Sequence, residues 1–202
     1  MRDCEISGNN TPSVAIAGCG AICSVGKNTS ELLVALKNNT SGLRASERFS
    51  NPRFQSNIVG AAPIDSSTDN PAHALASSAL HEAIVGQTSD AAINNQIPAE
   101  RIGLVLSTTK ANIEALERLS DGRSCSVIAR RHLQADLLAA DLAVEFDARG
   151  PVQNISNACV SGLATLDNFR ALHQRDETRD AGVGNVLHRT ARPTFSGEIG
   201  GE

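Results

Sequence analysis

Tryptophan and tyrosine are absent from this 202-residue sequence, methionine occurs once and phenylalanine five times. So few rings leave no stacking platform for nucleotide bases. The core must be built from Ala, Val, Ile and Leu, which suits closely packed helices and strands. The formal net charge of −4 gives no electrostatic reason to expect nucleic acid or an anionic membrane surface as a partner. No apolar run approaches the roughly 20 residues that span a bilayer. The opening "MRDCEISGNNTP" is polar and lacks the apolar stretch of a secretory signal. A cytoplasmic chain without membrane attachment is therefore expected. The five cysteines, Cys4, Cys19, Cys23, Cys125 and Cys159, are odd in number and scattered, which argues against a disulfide framework. Cys19 and Cys23 have no second pair or histidine cluster downstream, so no metal site is expected; two packed thiols near the first strand are the simpler reading.

What is present reads as strands alternating with helices. Residues 1–12 read as a disordered lead-in. "SVAIAG", 13–18, is a short apolar run ended by glycine, hence a buried strand. "NTSELLVALKNN", 28–39, predicts a helix, with Asn28 and Glu31 spaced as a capping box and Leu32, Leu33 and Leu36 on one face. Residues 43–71 predict loop with a short edge strand at "NIVGAAPI". "AHALASSALHEAIVG", 72–86, predicts a helix, "RIGLVLS", 101–107, a buried strand, and "TKANIEALERL", 109–119, a second helix. "RRHLQADLLAADLAVEF", 130–146, reads as one helix. "RGPVQNIS", 149–156, becomes a strand after Gly-Pro, and a helix with Val160, Leu163, Ala164 and Leu166 on its buried side follows. A weak strand falls around 183–187, and the polar, glycine-rich sequence from His188 on reads as poorly ordered. Alternation of this kind predicts an α/β layered fold.

Cys159 sits in "NISNACVSGLATLDNF", between the strand and the helix, among the small residues Ala158, Ser161 and Gly162. A lone cysteine in an apolar stretch is usually a small core residue. This setting differs. A sharp strand-to-helix turn holds a side chain up at the end of a sheet, the device that exposes the serine of hydrolase nucleophile elbows. A helix start also offers unpaired N–H groups and partial positive charge, which favour a thiolate and stabilise an oxyanion in acyl transfer. The residues alone point to covalent thioester chemistry.

Three segments in the same order resemble one family. "GPVQNISNACVSG" is similar to the active-site segment of β-ketoacyl-acyl-carrier-protein synthases. "VAIAGCGAICSVGKNTSELLVALKNNTSGL" resembles that family's opening strand, glycine loop and first helix, and "IGLVLSTTKANIEALE" the strand and loop before the active site. The likeness runs from about residue 13 to about 173 and leans toward synthases of polyene or polyketide pathways. It implies a thiolase-like layered fold (αβαβα), of which only the N-terminal half is present here, at 13–175, followed by a divergent tail at 176–202. It implies a catalytic Cys159 that accepts an acyl chain from a carrier-protein thioester before decarboxylative condensation with a malonyl thioester, in fatty-acid or polyketide biosynthesis. The partners implied are an acyl carrier protein and a second synthase subunit, in a homodimer or heterodimer. No resident cofactor is implied, since phosphopantetheine belongs to the carrier substrate.

The family also uses two histidines from its C-terminal half, and neither motif is found here. His73, His81 and His132 fall on predicted helices and read as surface or packing residues. His173 ends the helix begun near Cys159, roughly 20 Å along it, where a cation suits the helix C-terminus. His188 lies in the tail. Condensation by this chain alone is therefore doubtful, and truncation or a frameshift near residue 175 is the expectation. Uncovered apolar helix faces and sheet edge, with poor solubility, would follow. Two alternatives remain: a noncatalytic thiolase-fold partner of a complete synthase, which a retained Cys159 argues against, and a cysteine hydrolase, which lacks a well-placed His and acid. Gly18-x-Gly20 does not complete a dinucleotide fingerprint, because the third glycine position is Cys23. "STTK" at 107–110 lacks the preceding glycine frame of a P-loop.

Overall fold

The computed structural model describes Ile16 and residues 18–50, 54–85, 98–175 and 184–186. The expected lead-in, most of the strand at 13–18 and the tail from His188 lie outside these residues.

Helix α1, Thr29–Lys37, begins where the sequence placed its cap. The Asn28 side chain accepts from the Glu31 amide at 2.8 Å, and Glu31 Oε2 reaches back to accept from the Lys27 amide at 2.8 Å. The face it buries is not the expected one. Ala35 is buried, whereas Leu33 and Leu36 are exposed. A two-stranded antiparallel ribbon follows: β1, Leu43–Ala45, and β2, Ile58–Gly60. Only β2 was legible as a strand.

Helix α2, Pro71–Val85, starts with proline at a position whose N–H would be unpaired in any case. Strand β3, Leu104–Ser107, is the buried centre of a parallel sheet ordered β4-β3-β5, with β4 at Val152–Ile155 and β5 at Gly184–Val186. Between β3 and β4 lie three helices, α3 Ile113–Ser120, α4 Val127–Arg131 and α5 Ala135–Glu145. The single helix expected over 130–146 is thus the end of α4 and all of α5. The break falls at His132, whose amide closes α4 on Ile128 O at 3.0 Å while its ring turns inward. Between β4 and β5 lies α6, Ser161–Arg175.

Leu104 and Leu106 of β3 pack with Ala72, Ala76 and Leu80 of α2 and with Leu138 and Leu142 of α5. Residues alternate sides along a strand. Val105 and Ser107, also buried, therefore face the opposite side, where α6 lies against β3 and β4. The result is helices on both faces of a parallel sheet, the α/β layering expected from the alternation of elements.

The glycine loop at 18–26 is explained by packing. A Cβ on Gly20 would stand 1.9 Å from the Ala79 carbonyl oxygen of α2. Close approach of backbone to helix requires glycine there, and no dinucleotide need be invoked.

Candidate active site

Strands β3 and β4 run parallel with Ser107 opposite Ile155, so the loops at their carboxyl ends leave the sheet side by side. In open α/β sheets this edge is where ligands bind. Each loop contains an alanine in the left-handed region, Ala111 at φ 46° and Ala158 at φ 45°. That conformation costs an L-residue roughly 1–2 kcal/mol, and it persists only where surrounding bonds hold it. A side-chain hydroxyl does so in both loops. Thr108, buried, accepts from the Ala111 amide at 3.0 Å. Ser161, also buried, accepts from the Asn157 amide at 2.6 Å and donates to the Ala158 carbonyl at 2.8 Å.

Cys159 follows the left-handed Ala158 directly. It occupies the middle of a single 3-10 turn, Ala158–Val160, that runs without a break into α6. The turn is closed by the Val160 amide on Asn157 O at 3.0 Å and by the Ser161 amide on Ala158 O. Among the described residues the Cys159 amide makes no hydrogen bond, which leaves that donor open to a ligand beside the sulfur within this part of the structure. The thiol is exposed. Strand, left-handed residue, sulfur and helix start in succession form the elbow expected from the sequence.

Cys19 is exposed as well, and Cys23 and Cys125 are half-buried. The expectation of two packed thiols near the first strand therefore fails for Cys19. The loop that carries it is anchored to α2 by backbone, through the close approach of Gly20 and the Ala21 amide on Glu82, while the Cys19 side chain stays exposed.

No histidine is hydrogen-bonded to Cys159 among the described residues. His132, 1% exposed, is a packing residue as expected, but a highly connected one. Its Nδ1 lies 2.8 Å from the Asn70 side-chain nitrogen and its Nε2 2.7 Å from Asp141 Oδ2. Its ring stacks on His73 with centroids 5.4 Å apart, and His73 pairs with Glu145 at 3.0 Å. Burial pushes the Asp141 carboxyl up, but bonds from His132 and Arg131 outweigh this and hold it below its ordinary value. His173 lies near the far end of α6, and His188 is outside the described residues. No group of three or more metal-ligating side chains occurs among the described residues.

Two elements of the site were not legible. Ser161 reads in the sequence as one more small neighbour of Cys159; its place four residues after Asn157, at a helix start, was the signal for a capping hydroxyl. The stripe Val160, Leu163 and Leu166 was expected on the buried side of α6. It is exposed, Leu163 by 70% and Val160 by 51%, and among the residues of α6 whose burial is described the buried positions are Ser161 and Thr165. Thr165 gives its hydroxyl to Ser161 O at 2.9 Å, so both polar side chains are satisfied locally and can face the sheet.

The sequence matches the family of the β-ketoacyl synthase, N-terminal domain, over residues 11–179. The chain belongs to that family. Among solved structures it is similar to a type II PKS ketosynthase assembly, AntDE:AntF, described as an acyl-carrier protein in complex with its ketosynthase bound to the hexaketide. That likeness has a TM-score of 0.67 at 20% identity, covering 83% of this chain and 44% of the other. It is also similar to the ishigamide ketosynthase/chain length factor, with a TM-score of 0.57 at 20% identity, covering 78% and 48%. These likenesses show the thiolase-like fold. The chain spans less than half the length of either structure. No curated protein matches the sequence. No helix among the described residues is long and apolar enough to cross a membrane.

Proposed function

We propose that this β-ketoacyl synthase domain serves a condensing acyltransferase of the polyketide type, with Cys159 as the acyl acceptor. The observation that carries this reading is the exposed Cys159 on its left-handed elbow, with a free amide beside the sulfur, in a chain of this family. In the first step the Cys159 thiolate attacks the carbonyl carbon of a carrier-protein thioester. The carbonyl electrons move onto oxygen, toward the Cys159 N–H, and collapse to expel the carrier thiolate, which takes up the proton that the Cys159 thiol released on ionising. The product is an acyl-Cys159 thioester. In the second step a malonyl thioester loses CO₂, and its carbanion attacks the acyl carbon, freeing the Cys159 thiolate and extending the chain by two carbons. The reading needs no resident cofactor, since the phosphopantetheine arm arrives on the carrier. Its partners are an acyl carrier protein and a second synthase subunit, homologous or identical. It places the chain in the cytoplasm, where the thiols stay reduced.

Support for the polyketide arm comes from the two structural neighbours, whose names are those of type II PKS and ishigamide ketosynthases. A noncatalytic partner subunit needs no thiol on an elbow, and the retained Cys159 weighs against it. The deciding experiment incubates the chain with a short acyl-pantetheine thioester and maps adducts by peptide mass spectrometry. Acylation confined to the Cys159 peptide, and lost in Cys159→Ala, is expected. Acyl label distributed equally over Cys159 and Cys19, a second exposed thiol among the described residues, would sink the reading.

A further inference from the structure

We infer that Ser161 is the positioning residue of the elbow: its hydroxyl, not the bulk of the helix, holds Ala158 in the left-handed conformation that aims the Cys159 sulfur. This deepens the proposed function and rests on Cys159 being the acyl acceptor.

The geometry is specific. A serine hydroxyl has one proton to give and lone pairs to receive. Ser161 uses both functions on the two residues that precede the sulfur, accepting from the Asn157 amide at 2.6 Å and donating to the Ala158 carbonyl at 2.8 Å. The two groups flank the left-handed residue, so its dihedrals are fixed from both sides. The hydroxyl is out of competition with solvent, because Ser161 is buried against the sheet. It is itself anchored by the helix, since Thr165, fully buried, bonds the Ser161 carbonyl. A chain of contacts thus runs from the helix interior through one hydroxyl to the two residues that precede the nucleophile.

Without that hydroxyl, alanine at position 158 has every reason to relax to negative φ. Relaxation turns the Cys159 side chain and its free amide away from a common target. A misplacement of an ångström or so costs about ten- to a hundredfold in rate. Glycine at 158 has no such preference. The proposal therefore makes a prediction about a pair: loss of the hydroxyl is harmful with alanine at 158 and largely harmless with glycine there.

The test measures site-resolved alkylation of the full chain by iodoacetamide near neutral pH, with Cys19 as the exposed internal reference and a circular-dichroism melt to check folding. Wild type is expected to label Cys159 far faster than Cys19. Ser161→Ala should slow Cys159 about ten- to a hundredfold and leave Cys19 unchanged. Ser161→Thr, which keeps a hydroxyl, and the double variant Ala158→Gly/Ser161→Ala should both recover most of the rate. If wild-type Cys159 is fast and folded Ser161→Ala is equally fast, the positioning role is wrong and the acyl-acceptor reading stands. If Ser161→Ala does not fold, a folded double variant that stays slow overturns the role. Wild-type Cys159 no faster than Cys19 overturns both.

Discussion

Thr29 gives both its amide and its hydroxyl to the carboxylate of Glu82, at 2.7 and 2.5 Å, across 53 residues of sequence. The other carboxylate oxygen accepts from the Ala21 amide at 2.9 Å. One side chain of α2 thus ties down the glycine loop and the start of α1 together. These groups are otherwise unpaired donors at a loop and a helix N-terminus, where an anion is doubly favoured.

Glu82→Gln should destabilise the chain by about 2 kcal/mol, the value of hydrogen bonds to a charged acceptor. Partial burial pushes the Glu82 carboxyl up, but the bonds from Thr29 and Ala21 outweigh it, and the folded-state value lies below the ordinary 4.5. A depressed carboxyl contributes stability that is complete above its unfolded value and is lost as pH falls through its folded value. The stability gap between wild type and Glu82→Gln should therefore be constant at neutral pH and shrink below pH 4.5. Urea melts of both proteins at neutral pH and at about pH 3.5 measure this. A gap that widens on acidification would contradict the assignment.

His132 offers a second test, of the packing that separates α4 from α5. Its ring is sealed between Asn70 and Asp141, with His73 stacked on one face. His132→Phe keeps the ring and much of its volume but takes the imidazole partner from the half-buried Asn70 amide and leaves Asp141 with Arg131 alone. Removing one member of a buried polar set costs far more than the bond is worth on balance. A loss of about 3 kcal/mol is expected by denaturant titration. Asp141→Asn should cost less, since an amide oxygen still accepts from His132 Nε2 and only the Arg131 ion pair is weakened. Equal losses from the two substitutions would mean that the ion pair, not the ring's hydrogen bonds, holds the break.

These two clusters mark where sequence reading stops. Strand β3 was legible because all four of its residues are apolar or buried and the run is bounded. The start of α1 was legible because a capping box is a local pattern, and the elbow because strand, small residues and helix adjoin in sequence. The break at His132 was not, since the partners that hold His132 inward include Asn70, 62 residues away. Strand β1 was not, because three exposed residues carry no period. The rotation of α6 was misjudged for a chemical reason. Reading apolar residues as buried assumes polar ones need water, yet Ser161 and Thr165 satisfy their hydroxyls within their own turn. Of the site itself, Cys159 and its turn were readable, and the hydroxyl that fixes the turn was not.

The consequence of that rotation is an uncovered apolar surface beside the candidate nucleophile. Val160, in the turn before α6, and Leu163 and Leu166 on α6 itself are all exposed. Strand β4, which ends at the same elbow, pairs on one side only among the described residues, with Val152 38% exposed. An exposed apolar stripe next to an open strand edge promotes association. Purified chain should show a weight-average mass that rises with concentration in sedimentation or light scattering. Leu163 contributes little to the fold, being 70% exposed, so Leu163→Lys should change stability by no more than about 0.5 kcal/mol. It should nevertheless reduce the concentration dependence clearly, because it places a charge in the middle of the stripe. A lysine at the exposed position His81 on α2 serves as the control for net charge. If wild type is a monodisperse monomer at every concentration, or if His81→Lys suppresses association as well as Leu163→Lys does, the α6 face is not the surface responsible.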